Sequence, residues 1–151
     1  MLIKNFKSIS TTLEKKNALT VVNAGLEAAL PGKQLEKIIF RNHLLLCRKK
    51  FDLKKYDKVF VVAIGKGAYS MAESVNSLTC ITRGLLIVPK KTKTILSGKF
   101  MVVQAGHPLP NKNSVMAAHE IIKFLECVKL TDFVIFLALM VFDKVFNGEP
   151  G

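Results

Sequence analysis

Six consecutive residues, Val59-Phe60-Val61-Val62-Ala63-Ile64, constrain this chain more than any other feature. A run with no polar position, rich in β-branched side chains, has no face to offer water, so it predicts a strand covered on both sides. Gly65-Lys66-Gly67 follows at once, and then a helical pattern from Ala68 to about Leu78 with Met71, Ala72 and Val75 on one face. Strand, glycine turn and amphipathic helix together define one αβ unit. The pattern repeats downstream. Leu85-Leu86-Ile87-Val88 reads as a second strand stopped by Pro89, and Phe100 to Gln104 as a third that runs into Gly106-His107-Pro108-Leu109-Pro110. A long helix with Asn113 or Ser114 as its cap and Val115, Ala118, Ile122 and Leu125 as its stripe comes next. Asp132 then opens a fourth strand, Phe133 to Leu139. Buried strands alternating with amphipathic helices predict an α/β fold, a three-layer αβα arrangement around a largely parallel, Rossmann-like open sheet.

The first third of the chain reads differently. Leu19, Val22, Leu26 and Ala29 mark a helix that starts near Thr11 or Thr12 and is ended by Pro31-Gly32. A second helical stretch is expected from Gln34 to about Leu44, with Leu35, Ile38 and Ile39 on one face, and a basic linker from Cys47 to Lys58. The expected organisation is therefore an N-terminal helical segment with linker (1–57), an α/β domain (58–139, with the preceding helices) and a C-terminal tail (140–151).

The chain has 151 residues, half of them apolar, which excludes wholesale disorder and a disulfide-stapled miniprotein. The longest apolar stretch, Phe133 to Phe142, is half of what a bilayer-spanning helix needs. Cys47, Cys80 and Cys127 form no metal-ligand pattern with His43, His107 or His119, and read as buried thiols in a reducing cytoplasm. The net charge is +12. Two windows, 41–58 and 83–99, hold ten of those charges, with little aromatic interleaving and no nucleic-acid-binding motif. A solvated basic face is the expectation, ahead of nucleic-acid binding.

In a parallel sheet, ligands sit at the carboxyl ends of the strands, so the residues after each strand carry the chemistry. At Gly65-Lys66-Gly67, glycines allow close backbone approach, helix N–H groups favour an anion and Lys66 adds a mobile positive charge. This is not a Walker A loop, because the earlier glycine and the Ser/Thr that would hold Mg²⁺ are missing. It is a poor dinucleotide fingerprint too. Ser70 stands where the third glycine belongs, and the next strand ends in Pro89-Lys90-Lys91 where a ribose-binding acid is required. The pattern alone fits a tight turn with a solvated lysine equally well. At Gly106-His107-Pro108, two prolines stiffen the loop and hold His107 at a strand end, placed for anion contact, for acid–base work or simply for backbone hydrogen bonding.

From about Ala18 to Leu137 these landmarks, in this order, resemble the N-terminal domain of the glycerate 2-kinase (MOFRL-type) family. The carrying residues are Val61-Val62-Ala63-Ile64-Gly65-Lys66-Gly67-Ala68 with Met71-Ala72, and Gly84-Leu85-Leu86-Ile87-Val88. They continue through Gln104-Ala105-Gly106-His107-Pro108-Leu109-Pro110-Asn111 to Thr131-Asp132-Phe133-Val134. The resemblance implies a cytoplasmic kinase that uses ATP and Mg²⁺ to phosphorylate glycerate to 2-phosphoglycerate, in a cleft between two domains. It implies that Lys66 neutralises phosphoryl oxygens or orients substrate, and that Gly65 and Gly67 give backbone access. It places Gly106, His107 and Pro108 in the adjoining substrate or phosphate loop, with His107 the second candidate catalytic group. Asn111 stands where the family commonly has Asp.

One departure matters. After the fourth strand the family continues into a Ser-Gly-Gly-Gly-Ser loop, whereas this chain reads Ala138-Leu139-Met140-Val141-Phe142, with Leu139 at the serine position. Bulky side chains fill the space that phosphates would need. The expectation is an N-terminal kinase fragment, from a frameshifted, split or truncated gene, with little or no activity alone. A separately encoded C-terminal remainder or a homodimer would be its partner. The alternatives are a non-catalytic phosphate-ligand-binding α/β module and, behind it, a basic nucleic-acid-binding protein.

Overall fold

In the computed structural model, the residues described are 1–90, 92, 98–107 and 109–138. The apolar run becomes the centre of a four-stranded sheet. Numbering strands in chain order, β1 is Ile39–Phe40, β2 His43–Leu46, β3 Lys49–Asp52, β4 Val59–Ile64, β5 Arg83–Pro89, β6 Phe100–Ala105 and β7 Phe133–Ala138. The helices are α1 Phe6–Ile9, α2 Leu13–Ala28, α3 Pro31–Leu35, α4 Ala68–Leu78 and α5 Lys112–Leu125. The main sheet has the order β6-β5-β4-β7, with every pair parallel. The register sets Ile64 beside both Ile87 and Ala138, and Pro89 beside Ala105, so all four strands end along one edge.

Alternation along β4 sorts its side chains into two cores. Val59, Val61 and Ala63 join α4, α3 and the small strands on one face, while Phe60 and Val62 meet α5 on the other. Val61, Val62, Leu85 and Leu86 are fully buried, and each contributes about 1.5–3 kcal/mol by leaving water. The three-layer αβα reading holds.

Residues 34–58 correct the sequence reading. The helix expected from Gln34 to Leu44 ends at Leu35, and the supposed linker contains strands. β1, β2 and β3 form an antiparallel meander joined by two-residue turns at Arg41-Asn42 and Cys47-Arg48. All four turn residues have positive φ, between 47° and 63°. Such turns match the twist of a hairpin, but normally advertise themselves through glycine. Here only Asn42 is a usual occupant. Leu35, Ile38 and Ile39 do reach the core, but Ile38 sits in the turn after α3 and Ile39 in strand β1 rather than along one helix face.

Two helical stripes are also revised. Thr12 caps α2, accepting a hydrogen bond from the Lys15 N–H at 3.3 Å, yet Val22 and Leu26 on the predicted stripe are exposed. The buried residue of α2 is Asn23, whose Oδ1 accepts from the Leu2 N–H at 2.8 Å. Asn23 also donates to Glu27 at 2.9 Å, and this bond with the nearby terminal amine holds the Glu27 carboxyl below its ordinary pKa. Pro31, read as the terminator, occupies the first turn of α3, where its missing N–H costs nothing. α5 is capped by Asn111 rather than by Asn113 or Ser114. Its buried side is Ala117 and Phe124 with Ile121 and Leu125, so Leu125 of the predicted stripe does face the core while Val115 and Ile122 face out. All three cysteines are exposed, not buried. No described helix is long and apolar enough to cross a membrane.

Candidate functional site at the carboxyl edge of the sheet

The strand order identifies one position at this edge as special. From β4 the chain builds outward through β5 to β6, then returns to place β7 on the other side of β4. The order therefore reverses at β4, and the turn that leaves β4 lies at the topological switch point, where open α/β sheets hold their ligands. That turn is Gly65-Lys66-Gly67.

Backbone groups build it. Gly65 has φ 101°, a conformation that a Cβ would strain. Its N–H donates to the Ile87 carbonyl at 3.0 Å, and its own carbonyl accepts from Ala68 N–H at 3.1 Å. Gly67 is the N-cap of α4 and has no side chain to cap with, while its carbonyl accepts from Met71 N–H and Ser70 Oγ. Ala68 is fully buried, which seats the helix on the sheet. Lys66 is exposed at the tip. The first turn of α4 contains no acid. A lysine therefore stands at the positive end of a helix dipole, and among the described residues it has no ion-pair partner. An anion is the natural complement.

The second predicted loop follows β6, two strands away, which is about 10 Å at ordinary strand spacing. Side chains build this one. Ser114 Oγ accepts from the N–H groups of Gly106 at 3.2 Å and Asn111 at 3.1 Å. Asn111 Oδ1 accepts from the Asn113 N–H at 3.0 Å and so occupies the α5 N-terminus. A Cβ on Gly106 would lie 2.6 Å from both the Leu109 carbonyl oxygen and Asn111 Cγ, so this position has room only for glycine. His107 is exposed and makes no side-chain hydrogen bond to a described residue. Pro108 lies outside the described residues, as do Leu139 and the rest of the divergent tail.

The structure thus brings Gly65, Lys66, Gly67, Gly106 and His107 to one edge, with Lys66 at the switch point and His107 to one side. Ser114, read from the sequence only as a possible helix cap, is the residue that holds the second loop together. An Asn followed three positions later by Ser, just ahead of an apolar helix pattern, was the available signal. Among the described residues no group of three His, Cys, Asp or Glu side chains is placed to hold a metal. A cavity of about 190 Å³ lined by Asn42, Tyr56, Thr79 and Thr82 opens at the opposite end of the sheet. Several of its polar groups are used structurally: Asn42 Oδ1 accepts from Thr79 Oγ1 at 2.9 Å and Cys80 N–H at 3.0 Å, and Thr82 Oγ1 accepts from Val59 N–H at 3.1 Å.

A four-stranded parallel sheet flanked by helices on both faces, with a glycine–lysine turn at its switch point, places the chain among open α/β domains. Residues 17–138 match the family described as a domain of unknown function, DUF4147, and the chain belongs to that family, the N-terminal domain of MOFRL-type glycerate kinases. It is 27% identical over 125 residues to a glycerate 2-kinase of Pyrococcus horikoshii, covering 79% of this chain and 27% of that protein. It is 24% identical to a D-glycerate 2-kinase of Thermotoga maritima, covering 82% and 27%. The crystal structure of the PH0495 protein from P. horikoshii superposes with a TM-score of 0.69 at 26% identity, over 79% of this chain and 27% of that one. A glycerate kinase of T. maritima shares the fold, with a TM-score of 0.61 over 79% and 26%. The chain spans about a quarter of the length of the relatives it matches.

Proposed function

We propose that this chain forms the phosphate- and substrate-facing part of a glycerate 2-kinase, acting on glycerate and MgATP in the cytoplasm. The observation that carries this reading is Lys66, an uncompensated cation at the positive end of α4, at the switch point of the sheet. In the reaction, the 2-hydroxyl oxygen of glycerate bonds to the γ-phosphorus of ATP as the bond to the bridging oxygen breaks. ADP leaves, and the hydroxyl proton is released. Such transfers depend on positioning and on neutralising phosphoryl charge. Lys66 supplies charge at the transferring group, and Gly65 and Gly67 let the backbone approach it. His107, with Gly106 and Pro108 in its loop, supplies a secondary contact to the glycerate carboxylate or a phosphate oxygen. In this reading Mg²⁺ enters as part of the nucleotide substrate.

The relatives that carry the kinase name are about four times longer than the matched region. Turnover in this reading needs a partner that provides the opposite wall of the cleft. The purified 151-residue chain, assayed with MgATP and D-glycerate by ADP release, is expected to show no turnover above background. It is expected to bind 2-phosphoglycerate saturably in a titration followed by NMR. Substantial turnover by the chain alone contradicts the need for a partner, and absence of binding at millimolar ligand contradicts the site. A second reading, a phosphate-ligand module without catalysis, is favoured by Leu139-Met140-Val141-Phe142 at the place of the family's glycine-rich loop.

A further inference from the structure

The carboxyl edge of the main sheet is stepped. β4 turns away after Ile64, level with Ile87, whereas β5 and β6 stay paired for two residues more, as far as Pro89 beside Ala105. At the rise of a strand that is about 7 Å. The Gly65-Lys66-Gly67 turn therefore lies at the foot of a wall formed by the ends of β5 and β6. Lys90 is the first residue past the top of that wall, on the strand next to β4. Its backbone is set by a tight turn in which the N–H and Oγ1 of Thr92 both donate to the Pro89 carbonyl, at 3.2 and 2.7 Å.

Alternation along the strands decides which face each residue serves. Leu86 and Val88 join the core shared with α4, while Leu85 and Ile87 meet α5 together with Met101, Val103 and Ala105 of β6. Carried one step past β5, the pattern sets Lys90 on the α4 face, the side on which the Lys66 turn enters its helix. Carried past β6, it sets His107 on the α5 face. Lys90 is exposed and has no ion-pair partner among the described residues. Its diagonal neighbour on that face is Gln104, beside Val88, which is exposed and neutral and so does not occupy the lysine's charge.

We infer that Lys90 is a specificity-determining residue of the proposed site: it, rather than His107, holds the carboxylate of glycerate and 2-phosphoglycerate, while Lys66 holds the phosphate. The two lysines suit different anions. Lys66 has a helix N-terminus and two glycines beside it, surroundings that match the several oxygens and higher charge of a phosphate. Lys90 brings a mobile point charge with no helix end behind it, which matches a monoanion. In 2-phosphoglycerate the carboxyl carbon is bonded to the carbon that bears the phosphate, so two cations on one face are what this ligand needs. The inference rests on the kinase-type reading of the site and names the group that tells glycerate from an uncharged alcohol.

The test is an NMR titration of the full chain with two probes that share the phosphate. One is 2-phosphoglycerate, and the other is glycerol 2-phosphate, in which a hydroxymethyl group replaces the carboxylate. The parent chain is expected to prefer 2-phosphoglycerate. Lys90→Ala is expected to weaken 2-phosphoglycerate binding at least ~10-fold, and glycerol 2-phosphate binding no more than Lys99→Ala does. Lys99 is exposed at the start of β6, at the other end of the sheet, so its variant reads the loss of one positive charge alone. Lys90→Arg is expected to keep the preference, and Lys66→Ala to weaken both probes. If 2-phosphoglycerate binding survives Lys90→Ala while Lys66→Ala weakens both probes, the site stands and the inference falls. Equal losses of both probes in Lys90→Ala overturn it too, because Lys90 then serves the phosphate. So does a preference that His107→Ala abolishes and Lys90→Ala keeps. A parent chain that binds neither probe overturns the reading of the site itself, and the inference with it.

Discussion

The two loops at the carboxyl edge of the sheet stand about 10 Å apart and are built on opposite principles. After β4, Gly65-Lys66-Gly67 is held by main-chain hydrogen bonds, and the helix it enters has a glycine at its N-cap. After β6, the loop is held by Ser114 and Asn111, and Asn111 fills the helix N-terminus with its own side chain. A helix end already occupied by a capping oxygen has little left for a ligand, whereas one whose cap is a glycine beside a lysine keeps its field for an external anion. The first loop leaves its helix end open, and the second closes its own.

The largest expected effect separates the two lysine- and histidine-bearing tips. Lys66→Ala removes a charged donor, so affinity for 2-phosphoglycerate should fall by about 1.5–3 kcal/mol, or ~10- to 150-fold. His107→Ala should cost only about 0.5–1.5 kcal/mol, the range of an ordinary hydrogen bond. Calorimetric titration of both variants against the parent chain reads the difference. Equal losses would mean that the edge binds through both loops alike and would break the contrast.

The next pair tests the glycines. In Gly106→Ala the new methyl meets the Leu109 carbonyl and Asn111, and overpacking of this kind costs about 1–3 kcal/mol. Gly65→Ala forces an L-residue to φ 101°, at about 1–2 kcal/mol. Urea unfolding should show both losses. Phosphate-ligand affinity measured on the folded proteins should then separate them, unchanged in Gly106→Ala and reduced in Gly65→Ala. A Gly65→Ala variant that binds normally would show that the backbone of the first loop does not approach the ligand.

How far these features were legible depended on whether a short-range signal existed. The sheet was legible because strands covered on both faces must be apolar at every position, and Val59–Ile64 and Leu85–Val88 are. The switch-point turn followed, since a glycine pair directly after such a strand has few other uses. Residues 34–58 were not legible. Their hairpins turn at Arg41-Asn42 and Cys47-Arg48 without glycine, and the spacing of Leu35, Ile38 and Ile39 satisfies a helix as well as it satisfies the observed backbone. Tertiary packing decided that region. α5 was found but rotated, because its buried side is led by Ala117, a small residue that contributes little to an apolar pattern, while Val115 and Ile122 face solvent. Lys66 and His107 were legible as strand-end residues. Their unequal surroundings were not, because Ser114 holds the second loop from eight residues beyond Gly106.

The smallest effect is the sharpest test of what Asn111 does. If it is a cap, Asn111→Ala should cost about 1 kcal/mol, the usual loss on replacing a capping side chain by alanine. Asn111→Asp should behave differently. Aspartate accepts the Asn113 N–H equally well as a cap, and its charge adds the favourable interaction of an anion with the positive end of α5, about 0.3–1 kcal/mol at low salt. Urea midpoints should therefore rise slightly at neutral pH, and the gain should shrink in high salt as screening removes it. Lowering the pH until the new carboxyl is protonated should remove the gain as well, because only the ionised form interacts with the dipole. In a domain where the second loop is structural, this substitution leaves 2-phosphoglycerate affinity unchanged. A clear loss of affinity would instead place Asn111 beside the bound anion, where a new negative charge repels it, and would make both helix N-termini part of one site.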